Sequence, residues 1–291
     1  MKPAPFTHAA PRSLSEAVGL LDRYGEEARV LAGGQSLVPL MNLRLAVPAY
    51  LVDLNGIPEL AYVREENDIV AVGAMTRHRE VAASPALARR CPVVAAAAAH
   101  IGYPAIRARG TIGGTLAHAD PVAEMPAVAV ALEAEIVVSG PGGRRAIPAT
   151  EFFLGLFTTA ILPNEILVEI RFPAVRQGEG WSFREFARKT GDFALGAAAV
   201  RLLVRDGLVE QVRIGLAGAA DRPARARDAE AWLAGRRLSD EGLQQAARLT
   251  ASSVDPVAGA SADAAYRRHL AGVLTLRALR EAGSRALGGG P

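Results

Sequence analysis

The sequence contains a single cysteine, Cys91, among 291 residues. One thiol excludes an internal disulfide and any zinc or iron–sulfur centre built from several cysteines of this chain, and it suits a reducing compartment. Lysine is nearly absent too, occurring only at Lys2 and Lys189, so arginine carries the positive charge. The 33 basic residues against 30 acidic ones leave a formal net charge of +3. Arg222, Arg225 and Arg227 alternate with Asp221, Asp228 and Glu230, as on a solvated helix face, and aromatics at 5% are too sparse to stack bases, so no nucleic acid is expected as a partner. Long apolar runs are missing as well. Val93–Ala99 is the most apolar stretch and stops at His100, and the opening MKPAPFTHAAPRSL has no apolar leader core, so a cytoplasmic protein with no transmembrane segment is expected.

Three familiar site signatures are also absent. No G-x-G-x-x-G follows a strand, no phosphate-loop lysine motif occurs, and Val38 stands where a serine-hydrolase elbow around Ser36 needs its second glycine.

With 50% hydrophobic residues, a chain this long can bury roughly three-quarters of its unfolded surface and needs no covalent staple. Ser13 is placed to cap a helix over Leu14–Tyr24, with Glu16 completing a capping box and Gly25 as the stop. Ala28–Ala32 and Tyr50–Leu54 read as strands around a helix at Leu37–Leu45, a βαβ-like unit with a glycine-rich turn. Next come a hairpin of Ala61–Val63 and Ile69–Val72, a helix near Thr76–Ala83 and one long alanine-rich helix over Ala86–His100. Gly102–Gly114 is rich in turns, Pro126–Leu132 is helical, and strands follow at Glu135–Ser139, Arg144–Ile147 and Glu165–Phe172. Residues 174–180 read as a linker. Beyond it strands at Trp181–Arg188, Ala197–Arg205 and Leu208–Gly215 precede helices at Asp228–Ala234, Asp240–Ala251 and Ala264–Glu281, and the glycine run 288–290 reads as a frayed end. The fold class is α+β.

Two glycine pairs carry the functional signal. In Ala32-Gly33-Gly34-Gln35-Ser36-Leu37 a strand ends, two residues without side chains can leave backbone amides facing outward, and Ser36 can cap the following helix or meet a phosphate. Thr111-Ile112-Gly113-Gly114-Thr115 repeats the theme about eighty residues later, with His118, Asp120 and Glu124 behind it. Together the two turns suit a long ligand with a diphosphate at its middle. A branched side chain at Gly34 or Gly113 is expected to block that ligand while leaving the fold intact. His118 and Asp120 would share one side of a strand, but two ligands make no metal site, and no metal is expected.

These motifs, with Arg188-Lys189-Thr190-Gly191-Asp192-Phe193-Ala194 and Tyr266–Leu274, resemble the medium subunit of the molybdenum hydroxylases, the carbon monoxide dehydrogenase and xanthine dehydrogenase group. The resemblance runs the whole length of the chain. It implies an FAD-binding domain of the vanillyl-alcohol oxidase and p-cresol methylhydroxylase type, with subdomains at 1–56 and 57–175, and a small C-terminal α+β domain at 176–291. It places Ala32, Gly33, Gly34, Gln35, Ser36, Leu37, Thr111, Ile112, Gly113, Gly114 and Thr115 around the FAD diphosphate and ribityl chain. Asp120 and Glu124 become polar neighbours of the cofactor, Ile161 and Phe193 pack near the flavin ring, and His118 joins the same set. Gln35, Thr115 and Glu124 depart from the His, Asn or Ser, and Asp common among relatives.

With no cysteine in either signature, the FAD is expected to be non-covalent. The implied role is electron transfer in a molybdenum-containing oxidoreductase. A large subunit with a molybdenum cofactor oxidises substrate, a small subunit with [2Fe–2S] clusters relays electrons, and this chain passes them to an external acceptor, the whole forming a dimer of heterotrimers. No catalytic residue is expected in this chain. The alternative, a self-sufficient FAD-dependent oxidase, would need a base over the flavin, and His118 is the one candidate.

Overall fold

The computed structural model describes residues 1–259 and 261–288, so Gly289 and Gly290 of the terminal glycine run lie outside the described residues. The first unit comprises β1 (Thr7–Ala9), α1 (Leu14–Tyr24), β2 (Ala28–Leu31), α2 (Leu37–Asn42) and β3 (Tyr50–Asp53). Helix α1 starts at Ser13 as expected, since Ser13 Oγ accepts the Glu16 amide at 3.2 Å, but the Glu16 carboxylate accepts the Arg12 amide at 2.8 Å and not that of Ser13, so the expected capping box is shifted back by one residue. The strands form a parallel sheet in the order β1-β3-β2. Strand β1 has no apolar alternation and two exposed residues, so nothing local announces it; pairing with β3 creates it.

The second unit holds β4 (Val63–Glu66), β5 (Ile69–Gly73), α3 (His78–Ala83), α4 (Pro85–Arg90), α5 (Pro92–His100), α6 (Pro104–Arg109), α7 (Ile112–His118), α8 (Glu124–Ala131), β6 (Glu135–Gly140), β7 (Gly143–Pro148), α9 (Ala149–Phe152), β8 (Phe153–Gly155), β9 (Thr158–Thr159) and β10 (Ile166–Pro173). The hairpin turn sits at Asn67-Asp68, with Asn67 at φ 47°, which moves the first strand to Val63–Glu66. The long helix expected over 86–100 is two helices. Pro92 offers no amide and Cys91 before it is driven out of the helical region, to φ −143° and ψ 57°. The turn-rich stretch 102–114 likewise contains α6 and the start of α7.

Five strands assemble in the order β4-β5-β10-β6-β7, and alternation divides their side chains between two cores. Val137, Ile166 and Val168 meet Ala17, Leu21 and Val52 of the first unit. On the opposite face Ile136, Val138, Leu167, Ile170 and Phe172 meet α5 and α8. A bulge between Leu167 and Glu169 reverses the parity along β10, so that Leu167 and Ile170 share a face. Every residue of α8 is buried, because a second sheet covers its other side; this explains a helix with no polar face.

That second sheet is β11 (Glu179–Phe186), β12 (Gly196–Arg205), β13 (Leu208–Ala217) and β14 (Ala224–Arg225), backed by α10 (Arg227–Leu233), α11 (Asp240–Ser253) and α12 (Ala264–Ala286). The connection expected over 174–180 is shorter than its glycines suggest, since β11 begins at Glu179. Gly180 lies inside the strand and lets α12 approach; a Cβ there would come within 2.7 Å of the Ala286 amide nitrogen.

Candidate functional site

The first glycine motif leaves β2 and enters α2 with an unusual backbone. Gly34 sits at φ +73°, and the amides of Gly33, Gly34, Gln35, Ser36 and Leu37 find no acceptor among the described residues. Five successive free amides beside a residue without a side chain supply a run of unused donors, a resource suited to phosphate oxygens. Ser36 makes no capping bond to α2, contrary to one reading of its position, so its hydroxyl is free. Gln35 instead steadies the turn by donating Nε2–H to Gly33 O at 3.0 Å.

The second motif is built differently. Thr111 caps α7, its Oγ1 accepting the Gly114 amide at 3.1 Å, while the amides of Ile112 and Gly113 donate to Thr76 O and Ala74 O at 3.1 and 2.9 Å. These donors are used inside the protein, so the turn is not a second copy of the first. Gly113 is a packing glycine: a Cβ there would stand 2.7 Å from Ala74 O and 2.8 Å from its Cα. The expectation that a branched side chain at Gly113 would spare the fold is therefore corrected.

The fold joins the two motifs. A Cβ on Gly33 would collide with Arg109 O and lie 2.7 Å from Gly110 Cα, and one on Gly114 would be 3.6 Å from Ala32 Cβ. Two residues that the sequence did not single out clamp this junction. Asn55 donates to Ala32 O at 3.0 Å, and Arg77 donates both to Asn55 Oδ1 and to Arg109 O. Asn55 has the appearance of an ordinary turn residue, and nothing local tells which carbonyl it will reach. His78, 1% exposed, lies under the same motif with Nε2 2.7 Å from Thr115 Oγ1.

Behind the second motif, His118 ends α7 and Ala119 turns left-handed at φ 52°, so His118 and Asp120 are not partners on a strand. Burial holds the His118 pKa below the usual range, against the pull of Asp120, and the ring packs 5.0 Å from that of Phe157. Asp120 Oδ1 accepts the Val122 amide at 3.0 Å. Glu124 opens α8 and is buried, and its carboxyl is raised to about 7, first by burial and then by Asp120. Glu185, on β11, is raised to about 8 by burial and by Glu124. Glu185 shares the strand face of Phe183, which packs in the core around α5 and α8, and its Oε2 is buried with no hydrogen-bond partner among the described residues.

Both pKa values lie above that of the unfolded chain, so the protons held in the folded state stabilise it fully below about pH 4.5. That stability is lost as pH rises through about 7 and about 8. The FAD-free chain is expected to become less stable between pH 5 and pH 8.5, and Glu185→Gln to remove about 2 kcal/mol of that decline in urea titrations at the two pH values. Parallel pH profiles for the two proteins would refute the burial of a protonated Glu185 carboxyl.

Ile161 packs against the main core beside the β8–β9 hairpin. Phe193 is 80% exposed, on a C-terminal loop whose Gly191 closes on Tyr103, where a Cβ would be 2.7 Å from the ring. Among the described residues no cluster of His, Cys, Asp or Glu could hold a metal, and no helix is long and apolar enough to cross a membrane.

Residues 4–175 match the family described as the FAD binding domain in molybdopterin dehydrogenase, and residues 181–282 match the CO dehydrogenase flavoprotein C-terminal domain. The carbon monoxide dehydrogenase medium chain of Hydrogenophaga pseudoflava is 42% identical, over 98% of this chain and 99% of the relative. The 6-hydroxypseudooxynicotine dehydrogenase complex subunit alpha of Paenarthrobacter nicotinovorans is 39% identical, over 98% and 97%. Among solved structures, a chain of the Hydrogenophaga pseudoflava carbon monoxide dehydrogenase superposes with a TM-score of 0.96 at 44% identity, covering 98% of this chain and 99% of that one. A chain of quinoline 2-oxidoreductase from Pseudomonas putida 86 superposes at 0.94 with 35% identity, covering 99% and 100%.

Proposed function

Since the chain belongs to the FAD-binding medium subunits of the molybdenum hydroxylases, we propose that it is the electron-relay member of such a complex. It takes electrons from [2Fe–2S] clusters of a small subunit and hands them to an external acceptor, while a large subunit with a molybdenum cofactor oxidises the substrate, in a dimer of heterotrimers within the cytoplasm. The units 1–56 and 57–175 share the cofactor between them, and 176–291 lays the Phe193 loop beside it.

The observation that carries this reading is the run of free amides from Gly33 to Leu37, held by Asn55 and Arg77 against Gly110. Those amides and the Ser36 hydroxyl would take the FAD diphosphate, and Ala32 would support the turn from below. Thr111 to Thr115, with His118, Asp120 and Glu124, would line the ribityl side, and Ile161 and Phe193 would flank the ring. When bound without a covalent link, FAD supplies an acceptor that can take up two electrons and release them separately. The protein's own contribution is binding and orientation: His118, half-buried against Phe157 with a lowered pKa, is poorly placed to act as a base.

The test uses the FAD-loaded chain without oxygen. Mixing it with the small subunit, reduced by dithionite and then desalted, is expected to bleach the visible flavin band. Carbon monoxide, 6-hydroxypseudooxynicotine and quinoline, the compounds in the relatives' names, should leave the isolated chain oxidised. Bleaching by one of these compounds alone would make the chain an oxidase in its own right.

A further inference from the structure

His78 belongs to no sequence motif, yet the fold carries it to the second glycine motif. Residues 76–78 run antiparallel to residues 110–112: Arg77 bridges Thr111, the His78 amide donates to Gly110 O at 3.0 Å, and the Ile112 amide donates to Thr76 O at 3.1 Å. The His78 ring therefore lies beneath the first turn of α7. Its Nε2 is 2.7 Å from Thr115 Oγ1, and its Nδ1 is buried with no hydrogen-bond partner among the described residues.

The ring is neutral at pH 7, since burial and then the positive charge of Arg107 bring its pKa down to about 4. A neutral imidazole has one N–H and one lone-pair nitrogen, so two arrangements compete. With the proton on Nδ1, a buried N–H has no acceptor, and Nε2 must draw the only hydroxyl proton of Thr115 inward. With the proton on Nε2, the ring donates to Thr115 Oγ1 and only a lone pair is left unmatched. Orphaned buried N–H groups are the rarer and costlier defect, which selects the second arrangement. The Thr115 hydroxyl proton then has no acceptor within the described residues and is free for a ligand.

We propose that His78 is a positioning residue that holds Thr115 Oγ1 from beneath, so that the Thr115 hydroxyl donates its proton to an acceptor oxygen of the diphosphate–ribityl part of FAD. This inference rests on the reading that the second glycine motif lines the cofactor. It assigns to the Thr115 side chain the donor role that the amides of this motif cannot play, because those of Ile112, Gly113 and Gly114 are already used.

The experiment titrates the FAD-free full chain with FAD, following flavin fluorescence, and records a thermal melt for each variant. Thr115→Val is expected to weaken FAD binding about tenfold, and His78→Leu about three- to tenfold. His78→Gln keeps an N–H near the position of Nε2 and should restore affinity to within about twofold. The double variant His78→Leu/Thr115→Val should bind no more weakly than Thr115→Val alone. Nitrogen-15 NMR of the wild-type ring at pH 7 should show the proton on Nε2. Wild-type affinity in His78→Leu, additive losses in the double variant, or a proton on Nδ1 would each overturn the inference. If His78→Leu does not fold, the His78→Gln titration and the NMR measurement still decide. Failure of the wild-type chain to bind FAD would instead remove the functional reading itself, and Thr115→Val binding FAD as tightly as wild type would remove the second motif from the site.

Discussion

Gly113→Val is expected to cost the protein about 3 kcal/mol or more of stability, because the added Cβ would stand 2.7 and 2.8 Å from Ala74 backbone atoms inside a packed layer. The collision is with main chain, which cannot rotate away. Gly34→Val makes the informative contrast. Its Cβ would lie 3.2 Å from Val38 Cγ2 and 3.3 Å from Leu31 Cδ1, close contacts that side chains can relieve, and a branched residue at φ +73° costs about 1–3 kcal/mol. Gly34→Val should therefore fold, but because valine disfavours the φ that sets this run of free amides it should bind FAD about tenfold more weakly or worse. Urea titrations and FAD titrations on both variants separate the two roles. A cooperative, wild-type transition for Gly113→Val would contradict the packing argument, and wild-type FAD affinity for Gly34→Val would reduce the first motif to a structural turn.

A loss of about 3–5 kcal/mol is expected for Arg201→Met. Glu179, at the start of β11, and Arg201, on β12, form an ion pair with side chains 1% and 12% exposed. Arg201 Nη2 donates to Glu179 Oε2 at 3.0 Å and to Ala174 O at 3.1 Å. The pair thus ties the second sheet to the segment arriving from β10. Taking two charges out of water is expensive, and Arg201→Met leaves the buried Glu179 carboxylate only the Arg176 amide at 2.9 Å and the Arg176 Nε at 3.5 Å, so the loss is expected near the lower end of that range. The double variant Glu179→Met/Arg201→Met removes both charges and should regain most of the lost stability, a pattern that urea titrations of the three variants can read. If the double variant is no more stable than Arg201→Met, the loss comes from packing of the arginine stem and not from a stranded charge.

Much of the architecture was legible from local chemistry. The capped helix α1, the strands β2 and β3 around a helix, the hairpin of β6 and β7 and the strands of the second sheet follow from caps, alternation and turn residues, each signalled within a few neighbouring positions. Where local preference was weak, the reading failed in intelligible ways. β1 exists through its partner, Cys91-Pro92 divides what looked like one alanine-rich helix, and Gly180 is a contact glycine within a strand.

The site divides along the same line. The two glycine pairs, the free conformation of Gly34 and the family to which the chain belongs are properties of the sequence, since a residue without a side chain in such a turn signals itself wherever the chain goes. The tertiary structure alone decided what each pair does. Gly33-Gly34 keeps its amides free, whereas Gly113-Gly114 spends its donors on Ala74 and Thr111. It also decided that Asn55 and Arg77 hold the junction, that His78 lies beneath Thr115, and that the Glu185 carboxyl is buried where Glu124 adds to the rise in its pKa. The physical reason is range. Backbone conformation is governed by a residue and its neighbours, but a buried polar group is matched by whichever partner the packing of distant layers delivers, and no local pattern encodes that choice.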